Sequence, residues 1–460
     1  MRRFTSRASI SSAVGAVLLI VGLIIGAGVG YAVTSSGKGS TTTITQNGGG
    51  STVTVGGSTA TVTAGQSTVT LTSGGGGTGL SGTIPVGVAY ELTGSIADYG
   101  TDMKDAVLLA INDTNTLLAS ENSSVRFQPI VLDTQSTPSA ALQAAQTLVQ
   151  SDHVQVIFGP LTSGEIQAMQ SYVDQQHVVE FACCSTALQL AIPNDYIFRF
   201  LPTSVSQGPP IAKEALSRGI NKVVAITIQN DYANSILGSF NTTFTAGGGK
   251  IVNLIQYNPS ETDHSAEVSQ LSSDIAAAGP HTGVLFIAYT TDGLDILQKA
   301  SVDPTLTSVT WLCDDNCPTS NFLPPQAPAS VAQFMEKVNM TSSLTAASGN
   351  YVYQQFVSEF KAAYGRAPLP QVQSAYDSAR VGLMSILVAG KYSGPAIQAV
   401  VSTVASNMYG AVGPDRLDAN GDLASEPYEV DQIQTNSTGG FTWVKIATYD
   451  PATQQLSPVT

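Results

Sequence analysis

Ile84-Pro-Val-Gly-Val-Ala-Tyr90 is a short apolar run, and the segment from Asp98 to Leu118 that follows it carries apolar residues at helical spacing. A buried strand followed by an amphipathic helix is the reading of that pair. The same exchange repeats downstream. Phe127 to Leu132, Val154 to Phe158 and Val178 to Ala182 read as strands, with helices at Ser139 to Gln150 and Ser163 to Gln175. Strands that alternate with helices in this way predict a parallel, doubly wound sheet.

A second series begins after Pro202. A helix from Gln207 leads to strands at Val223 to Ile228, Ile251 to Tyr257 and Val284 to Ala288, with helices at Tyr232 to Phe244 and Ser265 to Ala278 between them. Two such series predict an α/β protein of two doubly wound lobes with a hinged cleft. Ligands of these sheets bind beyond the carboxyl ends of the strands. The loops after Tyr90, Phe158, Ala182, Ile228 and Ala288 therefore become the candidate site.

The residues of this region carry a resemblance. Pro85-Val-Gly-Val-Ala-Tyr-Glu-Leu-Thr-Gly94 and Asp98-Tyr-Gly100 are followed in order by Gly159-Pro-Leu-Thr-Ser163, Phe198-Arg199, Gln207-Gly208, Asp231-Tyr232 and Ala375-Tyr376-Asp377. Together they resemble the leucine/isoleucine/valine-binding proteins, type I periplasmic binding proteins that serve as solute receptors of ABC importers. The resemblance runs from about residue 83 to 450 and implies one lobe from 83–203 plus about 325–408. The other lobe would comprise 204–324 plus about 409–450.

The resemblance also implies a site. Ser163 and Thr186 match positions that hold an amino-acid carboxylate, with Cys184 or Ser185 supplying backbone donors. Tyr99 and Tyr232 match aromatic positions at the cleft mouth, one per lobe, and Tyr289 is a further candidate. The ammonium group would meet a carboxylate of the second lobe, Asp314 or Asp315; if neither points inward, amides or other neutral solutes fit better. Expected partners are a small polar solute, most simply an amino acid, and the permease and ATPase subunits of an importer. A sensory ectodomain of the same fold is the alternative function.

Before residue 83 the chain is different. Arg2, Arg3 and Arg7 precede an apolar run from Ala13 to Val33, about 21 residues, near the length that spans a bilayer as a helix. With its basic flank inside, the rest of the chain lies outside, and a cleaved signal is the open alternative. Residues 34 to 82 are nearly all Ser, Thr, Gly and Val and contain the imperfect repeat Ser51-Thr-Val-Thr-Val, Ser58-Thr-Ala-Thr-Val, Ser67-Thr-Val-Thr-Leu. Without aromatic residues such a segment buries little, and a disordered stalk is expected.

Composition narrows the function further. Charged residues make up 11% of the chain and the formal net charge is −14, which argues against nucleic acid as a partner. Phosphate-cradling loops, nucleophile elbows and His-Glu-x-x-His motifs are absent, so no cofactor or catalysis is expected. Outside the cell, the four cysteines suggest a local Cys313 to Cys317 bridge, with Cys183 and Cys184 free or joined to each other. Asp418-Ala-Asn-Gly-Asp422 reads as a turn, since it lacks a full calcium-ligand series.

Overall fold

The computed structural model describes residues 31–36, 41–46, 52–56, 59–64, 67–72, 79–346, 349–424 and 427–459. Strands β1 (Tyr31–Ser36), β2 (Thr41–Gln46), β3 (Thr52–Gly56), β4 (Thr59–Ala64) and β5 (Ser67–Thr72) pair antiparallel in chain order. This corrects the expectation of a disordered stalk. Thr and Val are β-branched and favour extended backbone. The apolar run from Ala13 lies outside the described residues until β1 begins at Tyr31, so a helix continuing to Val33 is excluded. Among the described residues no helix is long and apolar enough to cross a membrane.

The first lobe is built on five parallel strands in the order β10-β9-β8-β6-β7: β6 (Thr83–Tyr90), β7 (Arg126–Asp133), β8 (Val156–Phe158), β9 (Val179–Ala182) and β10 (Ile197–Arg199). Helices α1 (Ala97–Ser120), α2 (Pro138–Gln150) and α3 (Ser163–Gln176) make the crossovers. Strand β6 explains the layering. Val86, Val88 and Tyr90 join the core shared with α1, while Ala89, on the opposite face, packs with Leu148 of α2 and Ile166 and Met169 of α3. Period-two alternation thus supplies two apolar faces, and both are covered.

The second lobe holds eight strands in the order β12-β11-β13-β14-β15-β16-β17-β18. Strands β11 (Lys222–Ile228), β12 (Lys250–Tyr257), β13 (Thr282–Ile287), β14 (Trp311–Cys313) and β15 (Thr341–Thr345) run parallel. An antiparallel ladder of β16 (Tyr428–Thr435), β17 (Phe441–Asp450) and β18 (Gln455–Pro458) extends it. Its helices are α4 (Gly208–Ser217), α5 (Asp231–Ala246), α6 (Ser265–Ala278), α7 (Thr290–Ala300) and α8 (Ala329–Lys337). Helices α9 (Tyr351–Tyr364), α10 (Gln373–Ala389) and α11 (Gly394–Ser406) return to the first lobe, where α10 packs on α1, β8 and β9.

The chain therefore passes between the lobes three times: before α4, between β15 and α9, and before β16. The return expected at about residue 325 falls later, because α8 packs on β16 and β15 is a strand of the second sheet. The second boundary also moves. Residues 410–423 stay on the first lobe, with the Val412 N–H on the Asp377 carboxylate at 2.8 Å and the Leu423 N–H on the Arg199 carbonyl at 2.8 Å.

Candidate functional site

The carboxyl ends of β6, β8 and β9 face those of β11, β13 and β14 across the space between the lobes. A pocket there is lined by Ile96, Tyr99, Met103, Leu161, Thr162, Ser163, Cys184 and Gln371 on the side of the first lobe and by Tyr232, Tyr289, Asp315 and Asn316 on the other. The pocket is small: about 30 Å³ remains among these side chains. That volume suits a water-sized body, so a solute enters only if the lobes part or side chains shift.

On the first lobe, Ser163 is the first residue of α3, and its Oγ accepts hydrogen bonds from the Ser185 hydroxyl at 2.9 Å and the Ala187 N–H at 3.3 Å. Ser185 and Thr186 stand behind it and are not on the pocket wall. The Thr186 carbonyl accepts from the Ser204 N–H and hydroxyl at 2.8 and 2.9 Å. Its own Oγ1 is buried and has no partner among the described residues. The Tyr99 hydroxyl is likewise buried and unpartnered on the pocket wall. Cys184 lines the pocket, and burial pushes its thiol up, reinforced by the thiol of Cys183.

Strand β14 ends at Cys313, which is joined to Cys317 by a disulfide. The bridge brackets Asp314, Asp315 and Asn316 in a short loop. Asp315 lines the pocket, with one oxygen 2.5 Å from the Tyr232 hydroxyl and the other accepting from Gln371 Nε2 at 3.0 Å. Asp314 does not reach the pocket. It is fully buried, 2.9 Å from the same hydroxyl and 3.1 Å from Asn316 Nδ2. Burial, and then the charge of Asp315, hold its carboxyl well above the usual carboxylate range. Sequence left open which aspartate faces inward; it is Asp315.

Tyr232 and Tyr289 stack with ring centres 6.3 Å apart. The Tyr289 hydroxyl accepts from Asn230 Nδ2 at 2.9 Å, and Asn230 also caps α5 through the Ala233 N–H. A capped helix start thus fixes both rings.

Several groups on or behind the pocket wall escaped the sequence reading. Glu91, one residue past β6, is fully buried and accepts from the N–H groups of Leu161 and Thr162, both at 3.0 Å. Glu165 in the first turn of α3 hydrogen-bonds the Thr162 hydroxyl. Burial, followed by the charge of Glu91, pushes its carboxyl up to about 11. Glu91 lies at a strand end, the placement rule that selected the other loops, so it was legible in principle. Gln371 and Met103 carry no such signal, since they reach the cleft from α10's approach and from the second turn of α1.

Arg199 fixes the loop behind Ser163. Its Nε and Nη2 donate to the two Asp422 oxygens at 2.6 Å each, while Nη1 donates to the carbonyls of Ala187 at 2.7 Å and Ser185 at 3.3 Å. The Asp418 carboxylate accepts from the N–H groups of Asn420 and Asp422, which makes Asp418–Asp422 a turn whose last carboxylate is committed to Arg199.

Two facing lobes with the site at their strand ends agree with the comparison to known proteins: residues 83–439 match the family model described as periplasmic binding protein. The chain belongs to the periplasmic binding protein family. Members are solute-binding proteins of ABC-type transporters and not enzymes. An uncharacterized protein of Methanocaldococcus jannaschii is 26% identical over 308 residues, 66% of this chain and 72% of that one. A Leu/Ile/Val-binding protein homolog of Brucella abortus is 24% identical over 46% of this chain and 55% of its own length. This periplasmic binding protein fold is also that of the leucine-binding protein LivK from Thermotoga maritima, with TM-score 0.64 and 21% identity over 80% of this chain and 99% of that one.

Proposed function

We propose that this periplasmic binding protein is the receptor of an ABC importer for a small solute bearing an ammonium group, most simply an amino acid, and that it takes its cargo by closing the two lobes. The observation that carries this reading is the pairing of Ser163 and Asp315 on one pocket from different lobes. A hydroxyl that accepts two hydrogen bonds also has a proton to donate to a solute carboxylate, and a carboxylate opposite suits an ammonium. The pocket wall has no Lys, Arg or His, so a solute with only negative charge finds no countercharge there. Tyr99, Tyr232 and Tyr289 supply flat apolar faces for a side chain.

In this reading Thr186, Ser185 and Cys184 support the carboxylate end, with the unpartnered Thr186 hydroxyl as its reserve donor. Permease and ATPase subunits are the partners of the loaded form, and the apolar run before β1 is its tether on the outer face of the membrane. A thermal-shift screen of the full chain against amino acids, amides and hydroxybenzoates tests the reading, because a ligand of the folded state raises Tm. Stabilisation by an amino acid supports it; stabilisation by hydroxybenzoates alone overturns the ammonium assignment.

A further inference from the structure

Three sulfur atoms meet at one end of the pocket. Cys183 Sγ lies 3.7 Å from Met103 Sδ, and Cys184 Sγ lies 3.8 Å from the same sulfur. Both cysteines are free, while the other two cysteines of the chain are bridged. Cys183 and Met103 are buried, and Cys184 and Met103 form part of the pocket wall that also carries Asp315. The cluster arises where the chain leaves β9, so that two consecutive side chains both close on the first half of α1.

We propose that Met103, Cys183 and Cys184 form a binding site for a monovalent thiophilic cation of the Cu(I) kind. Thiolate and thioether donors are soft and select Cu(I) over the divalent ions of oxygen-rich sites. A metal–thiolate bond of about 2.3 Å places three trigonal donors about 4 Å apart, close to the 3.7 and 3.8 Å seen. Vicinal cysteines serve a tetrahedral ion poorly, but a trigonal ion needs only two thiolates and the thioether. Each metal–thiolate bond formed replaces an S–H bond, whose proton leaves to water. The ion keeps its oxidation state and no electron moves. Entry is through the cleft, past Cys184, and Asp315 attracts the cation along that path.

The site stands on this geometry alone and does not rest on the solute reading. Its test is silver, a redox-inert ion of the same charge and softness. The full chain, carrying two free thiols by titration, is loaded with Ag(I), desalted and assayed for metal and protein. One retained Ag(I) per chain is expected, absent in the Cys183→Ser/Cys184→Ser double variant and about tenfold more weakly held in Met103→Leu. X-ray absorption of the loaded wild type, which needs no variant to fold, is expected to show three sulfur neighbours. Equal retention by wild type and double variant, no retention by wild type, or a shell of oxygen and nitrogen overturns the proposal.

Discussion

Arg199 and Asp422 stand 223 residues apart in sequence and are joined by two hydrogen bonds of 2.6 Å, with both side chains almost fully buried. The guanidinium also holds two carbonyls of the loop behind Ser163. Asp422→Ala leaves that cation buried without its partner, at a cost of about 3 to 5 kcal/mol. Urea denaturation measures it. Because a buried pair can be exchanged for apolar residues at little net loss, Arg199→Met/Asp422→Leu is expected to lose less than Asp422→Ala alone.

The two neighbouring aspartates are expected to part company. Asp315→Asn removes the charge that faces the cleft and weakens ammonium-solute binding by about 2 kcal/mol or more. Asp314→Asn alters a group that is fully buried and off the pocket wall, and changes affinity little. Isothermal titration on both variants separates them; equal losses would mean that Asp314 contacts cargo.

Thr186→Val has opposite effects on stability and binding. The buried Oγ1 has no partner among the described residues, so its removal is expected to stabilise the unliganded protein, by about 1 kcal/mol. Solute affinity falls by about 1 to 3 kcal/mol if that hydroxyl meets the carboxylate. Unchanged affinity removes Thr186 from the site.

Glu165 makes stability depend on pH. Its folded carboxyl titrates at about 11 against an ordinary 4.5, chiefly through burial, so above 4.5 the unfolded chain gives up a proton that the folded chain keeps. This contribution is present in full below 4.5 and is lost as pH rises toward 11, with a slope approaching about 1.4 kcal/mol per pH unit. Glu165→Gln keeps the neutral shape and is expected to raise Tm more at pH 8 than at pH 5. Asp195 and Asp431, both pushed up to about 7 by burial, leave a residual slope below that pH.

Gly100→Ala is expected to damage the pocket through backbone alone. An added Cβ would lie 2.0 Å from the Glu91 carbonyl oxygen. Relief requires moving the start of α1, and Tyr99 with it, for a loss of about 1 to 3 kcal/mol or more and weaker solute binding. Differential scanning calorimetry and titration check the two effects.

The parallel core was legible because its strands and helices differ in period. Ile84 to Tyr90 and Ser265 to Ala278 were expected within a residue or so of β6 and α6. The ladder β16 to β18 was not, since it pairs by adjacency and its strands mix exposed and buried positions without strict alternation. At the site, strand-end position selected the loop that holds Ser163, and the family resemblance pointed to Ser163 itself and to Asp314-Asp315, but only packing decides which aspartate turns inward. Gln371 was beyond reach because it meets Asp315 across 56 residues. The Thr/Val repeat failed for a different reason: pairing of its Thr/Val alternation as strands was outweighed by its glycine clusters and weak polar-to-apolar contrast, and backbone pairing needs neither a core nor that contrast.

The late arrival of α10 has a consequence for synthesis. Gln373–Ala389 is buried along most of its length against β8 and β9, strands made before residue 183. Until it emerges, the part of the first sheet beyond the reach of α1, Phe158 and Phe181 included, has no permanent cover. The amino-terminal lobe therefore cannot finish folding as it leaves the ribosome, although domains generally fold in that order. The nascent chain must be kept from aggregation until nearly all of it exists, and a chain truncated before α10 should be a target for chaperones and proteases.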